Sequence, residues 1–248
     1  MSSASKIEWT ELTWNPVSGC TKISPGCKNC YAEKMAHRLQ AMRAPGYENA
    51  FELTLQHARL EQPLGRRKPT VWFVNSMSDL FHEDVPDDYI DQVMDVIRRT
   101  PQHTYQILTK RADRLPRYFK TRSVPGNVWL GVSVEDRKYG MPRIAHLRKV
   151  DAAIRFLSVE PLLEDVGELD LTDIHWVIVG GESGKNARPM DIEWVRNIRH
   201  QCEDSGAAFF FKQWGGWGAD GKKRSKHANG RLLDGQTWDA YPGSATPA

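Results

Sequence analysis

Residues 70–109 read TVWFVNSMSDLFHEDVPDDYIDQVMDVIRRTPQHTYQILT, two short apolar runs flanking a helix-like stretch. Thr70–Asn75 and Thr104–Thr109 are almost continuously apolar and end in polar residues, the pattern of a parallel strand covered on both faces. Between them, Pro86-Asp87-Asp88 is a helix start signal. Asp87–Arg99 then places Ile90, Val93, Met94 and Ile97 on one side of a helix. Strand, helix and strand in that order make the βαβ unit of a parallel sheet.

The alternation continues in both directions. Asn127–Ser133, Ala153–Glu160, His175–Gly180 and Ala207–Phe211 are further strand-like runs. Tyr31–Arg43, Ala112–Lys120, Lys138–Lys149 and Asp191–Asp204 are helix candidates, the last with Gly206 as its stop signal. Glu164–Thr172 is too short and acidic for a good helix, which makes that crossover the weak point. With a possible first strand near Lys6–Trp14, the runs predict an α/β fold, a partial (β/α) barrel of about six parallel strands. A doubly wound sheet is the alternative, because strand order cannot be read from one sequence. The expected organisation is one α/β domain over 1–217 with an insertion near 44–69, then a basic, Gly-containing extension over 218–248. Its end, Pro242–Ala248, is expected to be disordered.

Composition narrows the function classes. The chain has 248 residues, 40% hydrophobic and 26% charged, which excludes general disorder. A net charge of +3 is too small to imply nucleic acid by itself. No apolar run approaches the roughly 18 residues of a membrane span, and Met1–Lys6 shows no signal-peptide core. The expectation is a soluble, cytoplasmic protein with no membrane partner.

Three of the four cysteines, Cys20, Cys27 and Cys30, form the pattern C-x6-C-x2-C. In a cytosolic chain such a cluster argues for metal or redox chemistry over disulfides. Three thiolates can hold three irons of a [4Fe–4S] cluster and leave the fourth open. Ser24-Pro25-Gly26 supplies turn residues, and a helix from Tyr31 would aim its N-terminal amides at an anionic cluster. A structural zinc site is the alternative and would need a fourth ligand such as His37 or Cys202. On its helix, Cys202 reads as a buried structural cysteine.

The run Cys27-Lys28-Asn29-Cys30-Tyr31-Ala32, followed by a helix and placed before an α/β array, resembles the cluster loop of radical S-adenosylmethionine enzymes. The spore photoproduct lyase family, distantly similar, also has a Tyr after its third cysteine. More closely, WTELTWNPVSGC, GCKNCYAEKMA, VNSMSDLFHEDVP, ILTKR, LGVSVED, LSVEPLL and VIVGGESG are similar to an uncharacterised phage-associated family over most of residues 7–217. The resemblance implies a radical-SAM-like partial barrel and the cofactors [4Fe–4S] and S-adenosyl-L-methionine. It implies chemistry through a 5′-deoxyadenosyl radical and a reductase or flavodoxin-type electron donor. The six residues between the first two cysteines, where three are usual, and Asn29, where an aromatic residue is usual, depart from the common loop.

In a parallel barrel, ligands sit at the C-terminal strand ends. Those ends carry Asn75, Ser76, Ser78 and Asp79; Lys110 and Arg111; Ser133 and Glu135; Ser158 and Glu160; Glu182 and Ser183; and Lys212, Gln213 and Trp214. By resemblance, Asn75, Ser76 and Ser78 would receive the S-adenosylmethionine amino group. Ser133 and Glu182 join them as cofactor-binding candidates, and Lys110, Glu135 and Glu160 are the catalytic candidates. Each has a bland reading as well, a solvated charge or an ion pair such as Glu160 with Lys212. Gly180–Gly184 would allow close approach to a ligand, and Trp214 and Trp217 could stack on a base or pack in the core. Basic stretches at 66–68 and 222–227 favour a nucleotide or a short single-stranded nucleic acid as substrate. Two other classes stay open: a zinc-held nucleic-acid-binding module without catalysis, and an iron–sulfur redox or sensor protein.

Overall fold

The computed structural model describes Ser5 and residues 7–243. The readings of Met1–Lys6, Ser5 apart, and of the chain end beyond Gly243 lie outside the described residues. In chain order the elements are β1 (Leu12–Trp14), β2 (Val17–Ser18), α1 (Tyr31–Ala41), β3 (Thr54–Leu55), β4 (Val71–Val74), α2 (Asp87–Arg98), β5 (Thr104–Thr109) and α3 (Arg114–Tyr118). There follow β6 (Val128–Ser133), α4 (Met141–Arg148), β7 (Ile154–Val159), β8 (Trp176–Gly180), α5 (Ile192–Ser205), β9 (Ala208–Gln213) and α6 (Lys226–Asn229).

Seven parallel strands form one sheet in the order β1-β4-β5-β6-β7-β8-β9. Apart from the small antiparallel β2–β3 pair, every strand therefore neighbours the next one in sequence. A doubly wound sheet reverses its strand order partway and buries its first strand. Here β1 is at the edge, so the fold is a partial β/α barrel. No helix among the described residues is long and apolar enough to cross a membrane.

The chain divides into two compact units. The first comprises Met1–Ile23, Cys30–Gly131 and Lys149–Ala153. In it β4 buries Trp72, Phe73 and Val74, and α2 buries Tyr89, Ile90, Val93, Met94, Val96 and Ile97 along one face. Each such side chain contributes about 1.5–3 kcal/mol. The helix expected over Ala112–Lys120 contracts to Arg114–Tyr118, a stretch that contains Pro116 with its missing amide donor. Residues 44–69 add β3, which pairs antiparallel with β2. They are tied in where Trp14 Nε1 donates to Arg59 O at 2.8 Å and Gln56 Nε2 to Ser18 Oγ at 2.7 Å.

The second unit comprises Ser24–Asn29, Val132–Arg148 and Ile154–Ala248. Every residue of β8 is buried, as its unbroken apolar text requires. No helix joins β7 to β8, as the acidic Glu164–Thr172 stretch foretold. α5 starts on Asp191, whose carboxylate accepts from Glu193 N at 2.8 Å, and stops at Gly206 with φ 75°. Beyond β9 the chain returns along its edge: Phe211 N donates to Trp238 O at 2.9 Å and Ala240 N to Phe209 O at 3.3 Å.

Candidate functional site

In the first unit the cysteine loop starts against the C-terminal ends of β4 and β5. Gly19 pairs in a short bridge with Ser78, and Cys20 N donates to Phe51 O at 3.1 Å. Arg111, just past β5 and 6% exposed, grips this arm: Nη1 donates to Cys20 Sγ at 3.4 Å, and Nη2 to Thr21 Oγ1 at 2.7 Å and Thr21 O at 3.1 Å. Its Nε donates to Glu83 at 2.6 Å, and Asp79 faces it at 3.4 Å. Burial alone would lower the Arg111 pKa, but Asp79, Cys20 and Glu83 outweigh it and hold the pKa above its ordinary value. Burial likewise works against ionised Glu83, yet the bond from Arg111 prevails and brings its pKa down to about 2.

His82 completes this network. Its Nδ1 accepts from Asp84 N at 3.1 Å, which leaves Nε2 as the donor to Thr21 Oγ1 at 2.8 Å. That is the neutral tautomer. Burial, and then the Arg111 charge, lower its pKa. The third cysteine, Cys30, packs against Ala32, Ala36, Tyr47 and Met77. It stands at the N-cap of α1 and makes no side-chain bond to the helix amides.

In the second unit the segment Ser24–Asn29 rests on the loops after β6 and β8. Ser24 Oγ donates to Glu135 Oε1, and Arg143 Nη1 holds Oε2 of the same carboxylate at 2.6 Å. Glu135 is wholly buried. A side chain on Gly26 would begin 2.8 Å from this carboxylate, so the turn needs glycine. Arg188 reaches Pro25 O at 3.0 Å while forking onto Glu182 at 2.6 and 2.9 Å, and Asn29 Nδ2 donates to Asn186 O at 3.0 Å. Burial alone would raise the Glu182 pKa, but the Arg188 bonds lower it.

The other sequence-derived candidates fall as follows. Asn75 ends β4 with φ 61°, is 3% exposed, and neither atom of its amide has a hydrogen-bond partner. The hydroxyl of Ser76 donates to Asn15 Oδ1 at 3.2 Å and that of Ser78 to Val17 O at 2.7 Å. Lys110 N donates to Asp79 Oδ2 at 3.0 Å, and the carbonyl of buried Ser133 accepts from Arg143 at 2.8 Å. Glu160 takes both oxygens to Lys212 Nζ, at 2.8 and 2.9 Å, and Gln213 Nε2 lies 3.3 Å away.

Two expectations are narrowed. At Gly181 the close approach expected of Gly180–Gly184 is made by the chain itself and not by a ligand: a Cβ there would meet the backbone oxygen of Trp214 at 2.0 Å. Of the two readings open for Trp214, a stacking face or core packing, the structure has core packing: it is 2% exposed and its Nε1 donates to Leu232 O at 2.8 Å. Trp217 is half-buried and donates to Ala187 O at 2.7 Å, with the Lys223 ammonium 5.5 Å from its ring centre. Arg224 of the basic extension is spent on Asp220 at 2.6 and 2.9 Å.

The donor set fits a three-cysteine cluster. Cys20, Cys27 and Cys30 form no disulfide and are half-buried, whereas Cys202 is buried and burial pushes its thiol up to about 12. Cys202 also lies near the C-terminal end of α5, on the side where β9 begins, away from the strand ends that hold Ser24–Asn29. Among the described residues no three His, Cys, Asp or Glu side chains gather to hold a single metal ion. A cubane instead spreads three thiolates over three irons. Asn75, with one buried donor and one buried acceptor to satisfy, suits an amino-acid-like ligand end.

A parallel partial barrel with a cysteine loop on its strand ends defines the class of protein. Residues 4–242 match the family described as "Protein of unknown function (DUF5131)", and the chain belongs to that family. None of the curated protein sequences matches it. Among solved structures, a cysteine-to-serine mutant of spore photoproduct lyase is similar, with a TM-score of 0.52 at 15% identity over 81% of this chain and 63% of that one. Spore photoproduct lyase complexed with dinucleoside spore photoproduct gives 0.49 at 14% identity over the same shares. A double mutant with bound AdoMet and dinucleoside spore photoproduct gives 0.48 at 15% identity. The chain spans 63% of the length of these structures, and the likeness is one of fold.

Proposed function

We propose that this protein is a radical S-adenosylmethionine-type enzyme whose [4Fe–4S] cluster is held by Cys20, Cys27 and Cys30. The observation that carries the reading is the anchoring of the loop. Arg111 holds Cys20 and Thr21, while Glu135 and Arg188 hold Ser24 and Pro25, and none of the three cysteines is tied up in a disulfide. When bound, such a cluster supplies the electron that cleaves S-adenosylmethionine and yields a 5′-deoxyadenosyl radical. The chain's own residues bind and orient. Arg111 offsets thiolate charge at Cys20, and the N-terminus of α1 lies on the side where Cys30 sits. Asn75 would take the methionyl amino and carboxylate groups through Oδ1 and Nδ2. The Glu160–Lys212 pair would hold a proton or a polar substrate group, with Gln213 beside it. A nucleotide or short single-stranded nucleic acid is the substrate class, supported by the exposed cations Arg67 and Lys68. A reduced cytoplasm suits three cysteines without a disulfide.

The test is anaerobic purification with iron, sulfide and zinc measured together. About four irons per chain are expected. Replacing Cys20, Cys27 or Cys30 by Ser should abolish the cluster, and replacing Cys202 should not. S-adenosylmethionine should alter the paramagnetic resonance spectrum of the reduced cluster, with slow release of 5′-deoxyadenosine. Stoichiometric zinc without iron would overturn the reading.

A further inference from the structure

Strand β9 does not pair evenly with β8. Phe211 lies opposite Val179, but Gln213 lies opposite Gly180, so Lys212 is an extra residue with no counterpart. Neighbouring residues of a regular strand point to opposite faces, and a bulge breaks that rule and re-aims a side chain. Here it brings both neighbours to one carboxylate, that of Glu160 just past β7. Lys212 Nζ donates to the two oxygens of Glu160 at 2.9 and 2.8 Å, and Gln213 Nε2 lies 3.3 Å from Oε1. Gly180 leaves room for this carboxylate, since a Cβ there would stand 3.3 Å from its Oε1.

Gln213 is 4% exposed, and its amide has one orientation: Nε2 has to face Glu160, because a carboxylate paired with lysine only accepts. The same nitrogen donates to Ser183 Oγ at 3.1 Å. Oε1 is left buried, with no hydrogen-bond partner among the described residues. A buried acceptor without a partner calls for a donor from outside the chain. Lys212 keeps one hydrogen beyond its two bonds to Glu160, and the exposed Ser183 hydroxyl, which accepts from Gln213, keeps its own. The cluster therefore offers one unfilled acceptor beside two donors, with the Lys212 charge already offset by Glu160.

We infer that this cluster binds the lactam edge of a nucleobase, a ring N–H next to a carbonyl, and that Gln213 is the residue that sets specificity. The site deepens the proposed nucleotide reading and rests on it. The ring N–H donates to Gln213 Oε1, and the neighbouring carbonyl accepts from the donors beside it. A phosphate or carboxylate group has no N–H for Oε1 and would face the Glu160 charge. An exocyclic amino group brings two N–H bonds to a single unfilled acceptor.

The probes are uridine and 3-methyluridine, in which a methyl group replaces the ring N–H, titrated into the full chain by ligand-observed NMR. Wild-type protein should bind uridine about tenfold more tightly than 3-methyluridine, because the methylated base leaves the buried acceptor unpaired. Gln213→Met, close in volume but without the acceptor, should bind the two alike. Inorganic phosphate should not displace uridine. A wild-type protein that binds neither nucleoside at millimolar concentration, or binds both equally, overturns the base site whether or not Gln213→Met folds. Displacement by phosphate, or a preference that survives Gln213→Met, overturns it too. Iron measured on the same preparations separates this site from the radical chemistry. The nucleoside preference without iron leaves the base site and removes the radical reading, and iron without the preference does the reverse.

Discussion

Arg111 has Asp79 and Glu83 on one side and the Cys20–Thr21 arm on the other, so one buried guanidinium links folding to the cysteine loop. Arg111→Gln should strip most of the iron and lower the reduction potential of what remains, because it removes an N–H···S bond and a positive charge. It also leaves buried Asp79 without a counter-charge, held only by Thr109 and the amides of Phe81 and Lys110, at a cost of up to about 3–5 kcal/mol. Arg111→Gln/Asp79→Asn removes both charges and separates the two effects: a folded double variant with full iron and an unchanged potential would refute the role. Acid is the second probe. The folded pKa of His82 lies below its ordinary value of 6.5, and that of Glu83 falls from 4.5 to about 2. In both cases the unfolded chain binds the proton first, so stability is present above the unfolded pKa and is lost as pH falls toward the folded one. The melting temperature of metal-free protein should therefore drop below about pH 6.5. His82→Gln should abolish the part of that drop between pH 6.5 and 5. A wild-type curve flat to pH 5 would contradict it.

At the scale of elements, Gly26 and Asp191 make opposite predictions. Gly26→Ala puts a Cβ 2.8 Å from Glu135, a wholly buried carboxylate held by Arg143, so the turn before Cys27 must shift. Iron content should fall while the circular dichroism spectrum stays that of the wild type. Asp191→Ala removes the cap of α5 and should cost about 1 kcal/mol, or about 2–4 °C of melting temperature, with iron unaffected. Scanning calorimetry and iron assay on the two variants read both outcomes, and the reverse pattern would contradict them. The glycine stop and every long strand were legible in the sequence, because periodicity and punctuation are local signals, whereas Asp191 stood there only as the first residue of a helix. The antiparallel β2–β3 pair was not, since strands of two residues have no period to show. Arg143 and Arg188 carried no signal as anchors: one is an ordinary helix residue and the other follows a glycine-rich loop.

Across the whole molecule, the contacts that matter most for the cysteine loop join distant stretches of chain. Thr21 meets Arg111 across 90 residues, Ser24 meets Glu135 across 111 and Pro25 meets Arg188 across 163. Strand-end chemistry could be found in the sequence, but whether a carboxylate there faces a ligand or its own chain depends on such closures. Glu135 and Glu182 spend their oxygens on Ser24, Arg143 and Arg188. The stretch after β9 poses the same question. In the sequence it reads as a basic extension, yet residues 231–240 bury Leu233 and run hydrogen-bonded along β9, and Trp176 Nε1 donates to Ala240 O at 2.9 Å. An uncovered edge strand with Phe209, Phe210 and Phe211 in it would expose unpaired amides beside aromatic surface, a template for aggregation. Truncation after Gly230 should therefore lower the melting temperature by many degrees and shift the protein to large species on size exclusion. Arg231→Ala/Lys226→Ala, which removes charge but keeps the backbone, should remain monodisperse with a melting point within a few degrees of wild type. If the truncated chain melts normally and elutes as the full chain does, the segment is the dispensable tail that its composition suggests. If only the truncation fails, backbone pairing along β9 is what the segment contributes.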